Sequence, residues 1–133
     1  MRLPSPLWLA GLMVAGGTAH FVAPGHYQRI VPGLLGAPGP WVAASGVAEI
    51  AAGLLLASPR SRRIGGAVTA GVLVVVFPAN VKMALESGGI WWARLPLQVP
   101  LACWAWRESR QPAVQDKRAM ISANSSAGDA GTE

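Results

Sequence analysis

Cysteine is nearly missing from this chain: Cys103 is the only one in 133 residues. That excludes an intramolecular disulfide, a CxxC redox motif and a thiolate metal cage. The two histidines, His20 and His26, lack the spacing of a metal motif. Charge is thin too, at 13% of residues against about 25% in an average soluble domain. No Ser-His-Asp order, phosphate loop, paired-carboxylate site or dinucleotide fingerprint is present. Soluble-style hydrolysis is therefore poorly supported. The net charge of +5 comes from basic residues clumped beside apolar runs. They lack the interleaved aromatics of a single-strand-binding surface, so no nucleic-acid partner is expected. A lipid headgroup layer is the acidic neighbour that fits.

What the chain does have is apolar length: 52% of its residues are hydrophobic. Four apolar segments stand out, at 7–22, 41–57, 64–85 and 90–106. At about 1.5 Å per residue the third reaches some 33 Å, enough for a bilayer core of about 30 Å. The others reach about 24–26 Å, the short end for spanning. The reading is one all-α domain over 1–106, an integral membrane four-helix bundle. Residues 107–133 are polar and rich in Ser, Ala and Gly, and are expected to form a disordered cytoplasmic tail. The first segment also fits a cleavable signal peptide ending near Gly17-Thr18-Ala19. Cleavage would leave three spans, but the orientation signals favour retention.

Those signals are the basic residues. Four spans collect Arg2, Arg60, Arg62, Arg63, Arg107, Arg110, Lys117 and Arg118 on one side, and only Arg29, Lys82 and Arg94 on the other. Both termini are then cytoplasmic, in a multi-pass plasma-membrane protein. The tryptophans agree: Trp8, Trp104 and Trp106 fall at inner ends, Trp41, Trp91 and Trp92 at outer ends, as aromatic belts require. Between the first two spans, 24–40 is rich in Pro and Gly, which makes a long regular helix improbable there. Tyr27, Ile30, Val31, Leu34 and Leu35 are expected to form a short interfacial helix.

One acid, Glu49, sits inside an apolar run, with Ser45 and Gly53 on its helical face. A lone carboxylate in hydrocarbon costs several kcal/mol, roughly 2.5–3.5 on insertion scales, so it should face the bundle. Candidate partners are His20 on the first span, Asn80 and Lys82 on the third, and Arg94 and Gln98 on the fourth. All fall in the outer half. Pro78 cannot donate to the carbonyl of Val74, so a freed carbonyl beside Asn80 is expected to line a polar pocket. Two readings of this cluster stand side by side. In one, Glu49 with Arg94 or Lys82 is a structural ion pair that fixes helix registry. In the other, the cluster binds a ligand or handles protons, with Glu49 as the proton exchanger. Lys82 has its own plain alternative, snorkelling to the interface and pairing with Glu86.

The stretches 19–32, 41–63, 76–85 and 94–106 carry HF, SGxxE, PRSRR, FPAN and RLPLQ in that order. In this the chain resembles the DoxX family of small membrane proteins. The resemblance implies a four-helix integral membrane fold and a link to quinone-dependent oxidation or to respiratory and oxidative-stress complexes. It lands on His20, Pro24, Ser45, Gly46, Glu49, Arg60, Pro78, Asn80, Arg94, Pro96 and Gln98. Ser58-Pro59 and Gly65-Gly66 depart from its usual larger apolar residues. No cofactor-ligand motif transfers. The implied function is a redox-associated subunit with an outer polar pocket for a quinone or similar small molecule. Any enzymatic role would be as part of a quinone-linked oxidoreductase. A non-catalytic assembly subunit and a small transporter are the alternatives. The expected partners are the lipid bilayer and membrane or peripheral redox subunits, with homo-oligomerisation left open.

Overall fold

The computed structural model describes residues 5–112 and 114–129. Arg2 and residues 130–133, read above, lie outside the described residues, as does the side chain of Trp91. Among the described residues the fold is helical without strands. Its elements are α1 (Pro6–Val22), α2 (Pro24–Gln28), a short 3-10 turn (Gly33–Leu35), α3 (Pro38–Ala57), α4 (Arg62–Ser87), α5 (Trp91–Ser109) and α6 (Val114–Asp129).

Each of the four apolar segments is a helix, and several boundaries have a local cause. Ser5 caps α1, its hydroxyl accepting from the Leu7 amide at 3.4 Å, and Pro6 stands where a helix's first N–H is unsatisfied anyway. Pro38 opens α3 in the same way, three residues before the apolar run begins. α4 ends at Gly88, whose φ of 62° suits glycine. α3 and α4 are long and apolar enough to cross a membrane; α1 is apolar but shorter. α5 stays helical through Pro96 and Pro100.

The short turns at 58–61 and 88–90 make α3, α4 and α5 successive antiparallel neighbours, and α1 packs antiparallel on α3. The principal packing pairs are α1 with α3, α3 with α4 and α4 with α5, while α1 only touches α5. Glycine permits the closest approach. A Cβ on Gly17 would stand 2.5 Å from the Gly46 carbonyl oxygen, and one on Gly53 2.7 Å from that of Ala10. At the other end of the bundle a Cβ on Gly66 would meet the Ala105 carbonyl oxygen at 2.6 Å. The apolar core, Leu9, Ala10, Leu56 and Ala105, lies toward that same end. Much apolar surface faces outward, including Trp8, Val22, Leu54, Val74, Val75, Leu97 and Val99.

The tail differs from expectation. Residues 114–129 form a helix rather than a disordered segment, and every side chain described on it, from Lys117 to Ser125, is exposed. Gln, Lys, Arg, Met and Ala are good helix formers. The stretch lacks core-forming residues, but it does not lack helix propensity.

Candidate functional site

The site forms where α1 and α4 end and α3 begins, at what we call the His20 end. His20 lies in the last turn of α1 and Glu49 in the middle of α3. The antiparallel pairing of Gly17 with Gly46 brings the two together. The His20 Nδ1 is 3.8 Å from Glu49 Oε2, and both side chains are only 9% exposed. Gly16 leaves the room that the carboxylate fills, since a Cβ there would stand 2.8 Å from Oε2.

The imidazole is held on two sides. Its Nδ1 lies 2.9 Å from the Gly16 carbonyl oxygen, an acceptor that requires the proton on Nδ1. In the neutral ring Nε2 therefore carries the lone pair and is the nitrogen that can take a proton. One face of the ring stacks on Tyr27 at 3.9 Å, with 25° between the planes, and His26 meets the edge of Tyr27 at 5.6 Å.

A cavity of about 60 Å³ opens beside the pair. Its polar lining is His20, Tyr27, Ser45, Glu49, Asn80 and Arg94, and its apolar walls include Ile30, Trp41 and Val76. Ser45 donates its hydroxyl proton to the Val42 carbonyl at 3.0 Å, which leaves the oxygen as an acceptor. Arg94, otherwise exposed, is within electrostatic reach of Glu49. The volume is several times the roughly 10–15 Å³ that a water needs. It is well short of the about 300–1,000 Å³ of an ordinary small-molecule site. The cavity takes waters or the polar edge of a ligand.

Five of the seven residues expected from the sequence thus share one cavity: His20, Ser45, Glu49, Asn80 and Arg94. Gln98 does not join them. It sits behind Asn80, accepting from its Nδ2 at 3.1 Å and donating through its own Nε2 to the Leu73 carbonyl at 2.6 Å. The carbonyl that receives a side chain near Pro78 is therefore Leu73, not the expected Val74. Gln98 faces instead an open apolar groove with Leu73, Val74, Phe77, Val99 and Ala102.

Lys82 also stands apart. Its ammonium donates to the carbonyls of Arg29 at 3.1 Å and Val31 at 3.4 Å, and lies 3.7 Å from Glu86. Neither Lys82 nor Arg94 forms the expected ion pair with Glu49; among the described residues the ionisable side chain within 4 Å of its carboxylate is His20. Lys82 is a clamp on the 23–37 connection, which brings Tyr27, Ile30 and Val31 over the cavity. The Trp41 indole holds the same connection by donating to the Leu35 carbonyl at 2.9 Å. Lys82→Met keeps the aliphatic stem but removes these donors, for a loss of about 1–2 kcal/mol. Amide hydrogen exchange should quicken across 27–35 while the rest of α3 and α4 is unchanged. Unaltered exchange there would show that the clamp carries no weight.

Tyr27 lies on the short helix α2, within the stretch expected to form an interfacial helix, and with Ile30 and Val31 it turns toward the cavity. The tyrosine and histidine interleaved in HFVAPGHY hint at stacking, but nothing in that spacing points to the cavity. Among the described residues no group of three or more His, Cys, Asp or Glu side chains could hold a metal ion.

These features belong to a helical chain with a polar end-cavity between two glycine-paired helices. Residues 9–109 match the family described as a domain of unknown function, DUF8561, and the protein belongs to that family. No curated protein and no solved structure matches the chain.

Proposed function

We propose that the protein is a multi-pass plasma-membrane protein with four spanning helices and both termini cytoplasmic. In this reading the His20 end faces outward, and its cavity exchanges a proton with a quinone-class ligand as part of a redox-associated assembly. The membrane reading draws on α3 and α4. Only 33% and 28% of their most apolar windows are buried, whereas the core helix of a soluble protein is mostly buried. The orientation draws on Arg60, Arg62, Arg63, Arg107 and Arg110, which gather at the opposite end of the bundle.

One observation carries the functional reading: a buried imidazole and a buried carboxylate face one polar cavity together with an arginine and an amide. Quinone-class ligands supply carbonyl acceptors and the redox chemistry. Arg94 and the second Asn80 amide hydrogen can donate to a carbonyl oxygen. Glu49 and the Nε2 of His20 can take up or release the proton that accompanies electron transfer. The electrons would come from a partner redox subunit, a link that the resemblance to the DoxX family suggests. The cavity's size admits the carbonyl edge of such a ligand but not its whole ring.

Trp41 on the cavity wall gives a direct test. A water-soluble benzoquinone should quench tryptophan fluorescence with a saturable component in the wild type. That component should vanish in Trp41→Phe and in Glu49→Gln. Quenching that is linear, or the same in all three proteins, would remove the ligand from the account.

A non-catalytic assembly role rests on a different observation. Glu49 fills the groove over Gly16 and pairs with His20 across the α1–α3 contact, as a registry lock would. It predicts that Glu49→Gln lowers thermal stability and partner co-purification, with no saturable quenching in any protein.

A further inference from the structure

The opposite end of the bundle holds a second cavity, of about 180 Å³, which the His20–Glu49 site does not use. It is built where four parts of the chain converge: Pro6 opens α1, Pro59 to Arg63 link α3 to α4, Glu108 to Pro112 close α5, and Lys117 lies in α6. Among the described residues, Arg60, Arg62, Arg63 and Lys117 line it with one carboxylate, Glu108, so four cationic side chains share it with one anionic side chain.

Glu108 does not neutralise them. It is buried and accepts from the Trp104 indole at 3.2 Å, and the two ion pairs found among the described residues are both at the other end. Two of the three arginines are also held in place. Arg62 Nε donates to the Leu56 carbonyl at 3.1 Å and Arg63 Nε to that of Ser109 at 3.3 Å. Bonding through Nε leaves the terminal guanidinium nitrogens for another acceptor. The first turn of α4 opens at the same corner without a side-chain cap, because Ser61 donates its hydroxyl to the Leu55 carbonyl instead. Uncapped N–H groups at a helix start and fixed guanidinium forks favour the same kind of ligand, a phosphate.

We propose that this cavity binds a phosphate group, carried either by an anionic phospholipid headgroup or by a soluble phosphate compound. A topology signal needs only positive charge on one side of the membrane. It does not need two of those arginines tied through Nε to backbone carbonyls around a common cavity. The lipid source rests on the membrane reading above; the soluble source does not.

The test is thermal unfolding of the full chain, wild type beside an Arg60→Gln/Lys117→Gln double variant. Among the described residues these two cations make no hydrogen bond to the backbone, so their loss spares the arginines that tie the helices together. Two probes are used: bilayers of phosphatidylcholine with and without phosphatidylglycerol, and inorganic phosphate in detergent against chloride at equal ionic strength. Stabilisation of the wild type by phosphatidylglycerol but not by phosphate, lost in the variant, assigns the cavity to a lipid headgroup. Stabilisation by phosphate over chloride, lost in the variant, assigns it to a soluble phosphate. No stabilisation by either probe, or an equal shift in wild type and variant, overturns the proposal. If the double variant does not fold, Glu108→Gln must strengthen the response to whichever probe acts, and an unchanged or weaker response overturns it. Alkaline carbonate extraction of membranes tests the membrane reading separately. A chain released as soluble sinks that reading and leaves the inorganic-phosphate arm standing.

Discussion

Gly17→Leu is expected to eliminate the assembled protein. A Cβ at this position would stand 2.5 Å from the Gly46 carbonyl oxygen and 2.9 Å from the Ile50 amide nitrogen. Both are backbone atoms of α3, so no side chain can swing aside to make room. Gly46 is equally tight from the other side, with a Cβ there 2.8 Å from the Phe21 ring and 3.0 Å from the Gly17 carbonyl. Overpacking a tight core typically costs about 1–3 kcal/mol. Here the obstruction is backbone and the added side chain is large, so α1 and α3 must part and His20 leaves Glu49. Gly11→Leu is the control in the same helix, since a Cβ there meets nothing within 4 Å. Monodisperse yield in mild detergent should fall to background for Gly17→Leu and stay at wild-type level for Gly11→Leu. Equal yields would show that the backbone contact between α1 and α3 is not formed.

His20→Phe should be the most costly change that leaves the helices in contact. Phenylalanine can keep the ring against Tyr27, but it removes the polar group beside the Glu49 carboxylate and the bond to the Gly16 carbonyl. Removing one member of a buried pair typically costs about 3–5 kcal/mol, because the other is left uncompensated. Protonation of Glu49 would soften this, so a loss of about 3 kcal/mol is the expected size. The double variant His20→Phe/Glu49→Leu should recover most of the loss, since it leaves no orphaned acid. Thermal or denaturant unfolding across all four proteins gives the coupling energy. Strictly additive losses would mean that the 3.8 Å approach carries no interaction.

The parts of this structure that were legible in the sequence are those with a large local energy behind them. The four long helices follow from apolar runs that could be satisfied in few other ways, and the edges moved by only a few residues because Pro6 and Pro38 start helices rather than break them. Glu49 was legible for the same reason, since an acid in an apolar run needs partners and few were available. Which candidate became the partner was not legible. Arg94, Lys82 and His20 all lie at a compatible height, and the choice depends on Gly17 seating against Gly46, a contact between segments about 30 residues apart.

The path of the 23–37 connection was hidden in the same way. Proline and glycine announce that it bends, but they do not say that it folds Tyr27 onto His20 and gives two carbonyls to Lys82. Gln98 was read as a partner of Glu49 because it is polar and falls in the outer half of its helix. Its amide is instead used between α4 and α5, where Asn80 and the Leu73 carbonyl already need a partner. Polarity inside an apolar helix shows that a bond exists. It does not show whether the bond serves a ligand or the fold.

Mass spectrometry of the intact protein shows whether the cavity beside His20 and Glu49 holds a ligand. Wild type and Glu49→Gln would be purified in mild detergent from membranes rich in quinone, and small molecules released from the folded chain would be identified after organic extraction. A quinone-class molecule should be retained by the wild type and lost from Glu49→Gln, with both proteins folded. Equal retention by the two proteins, or a wild type that comes through empty, would contradict the quinone reading.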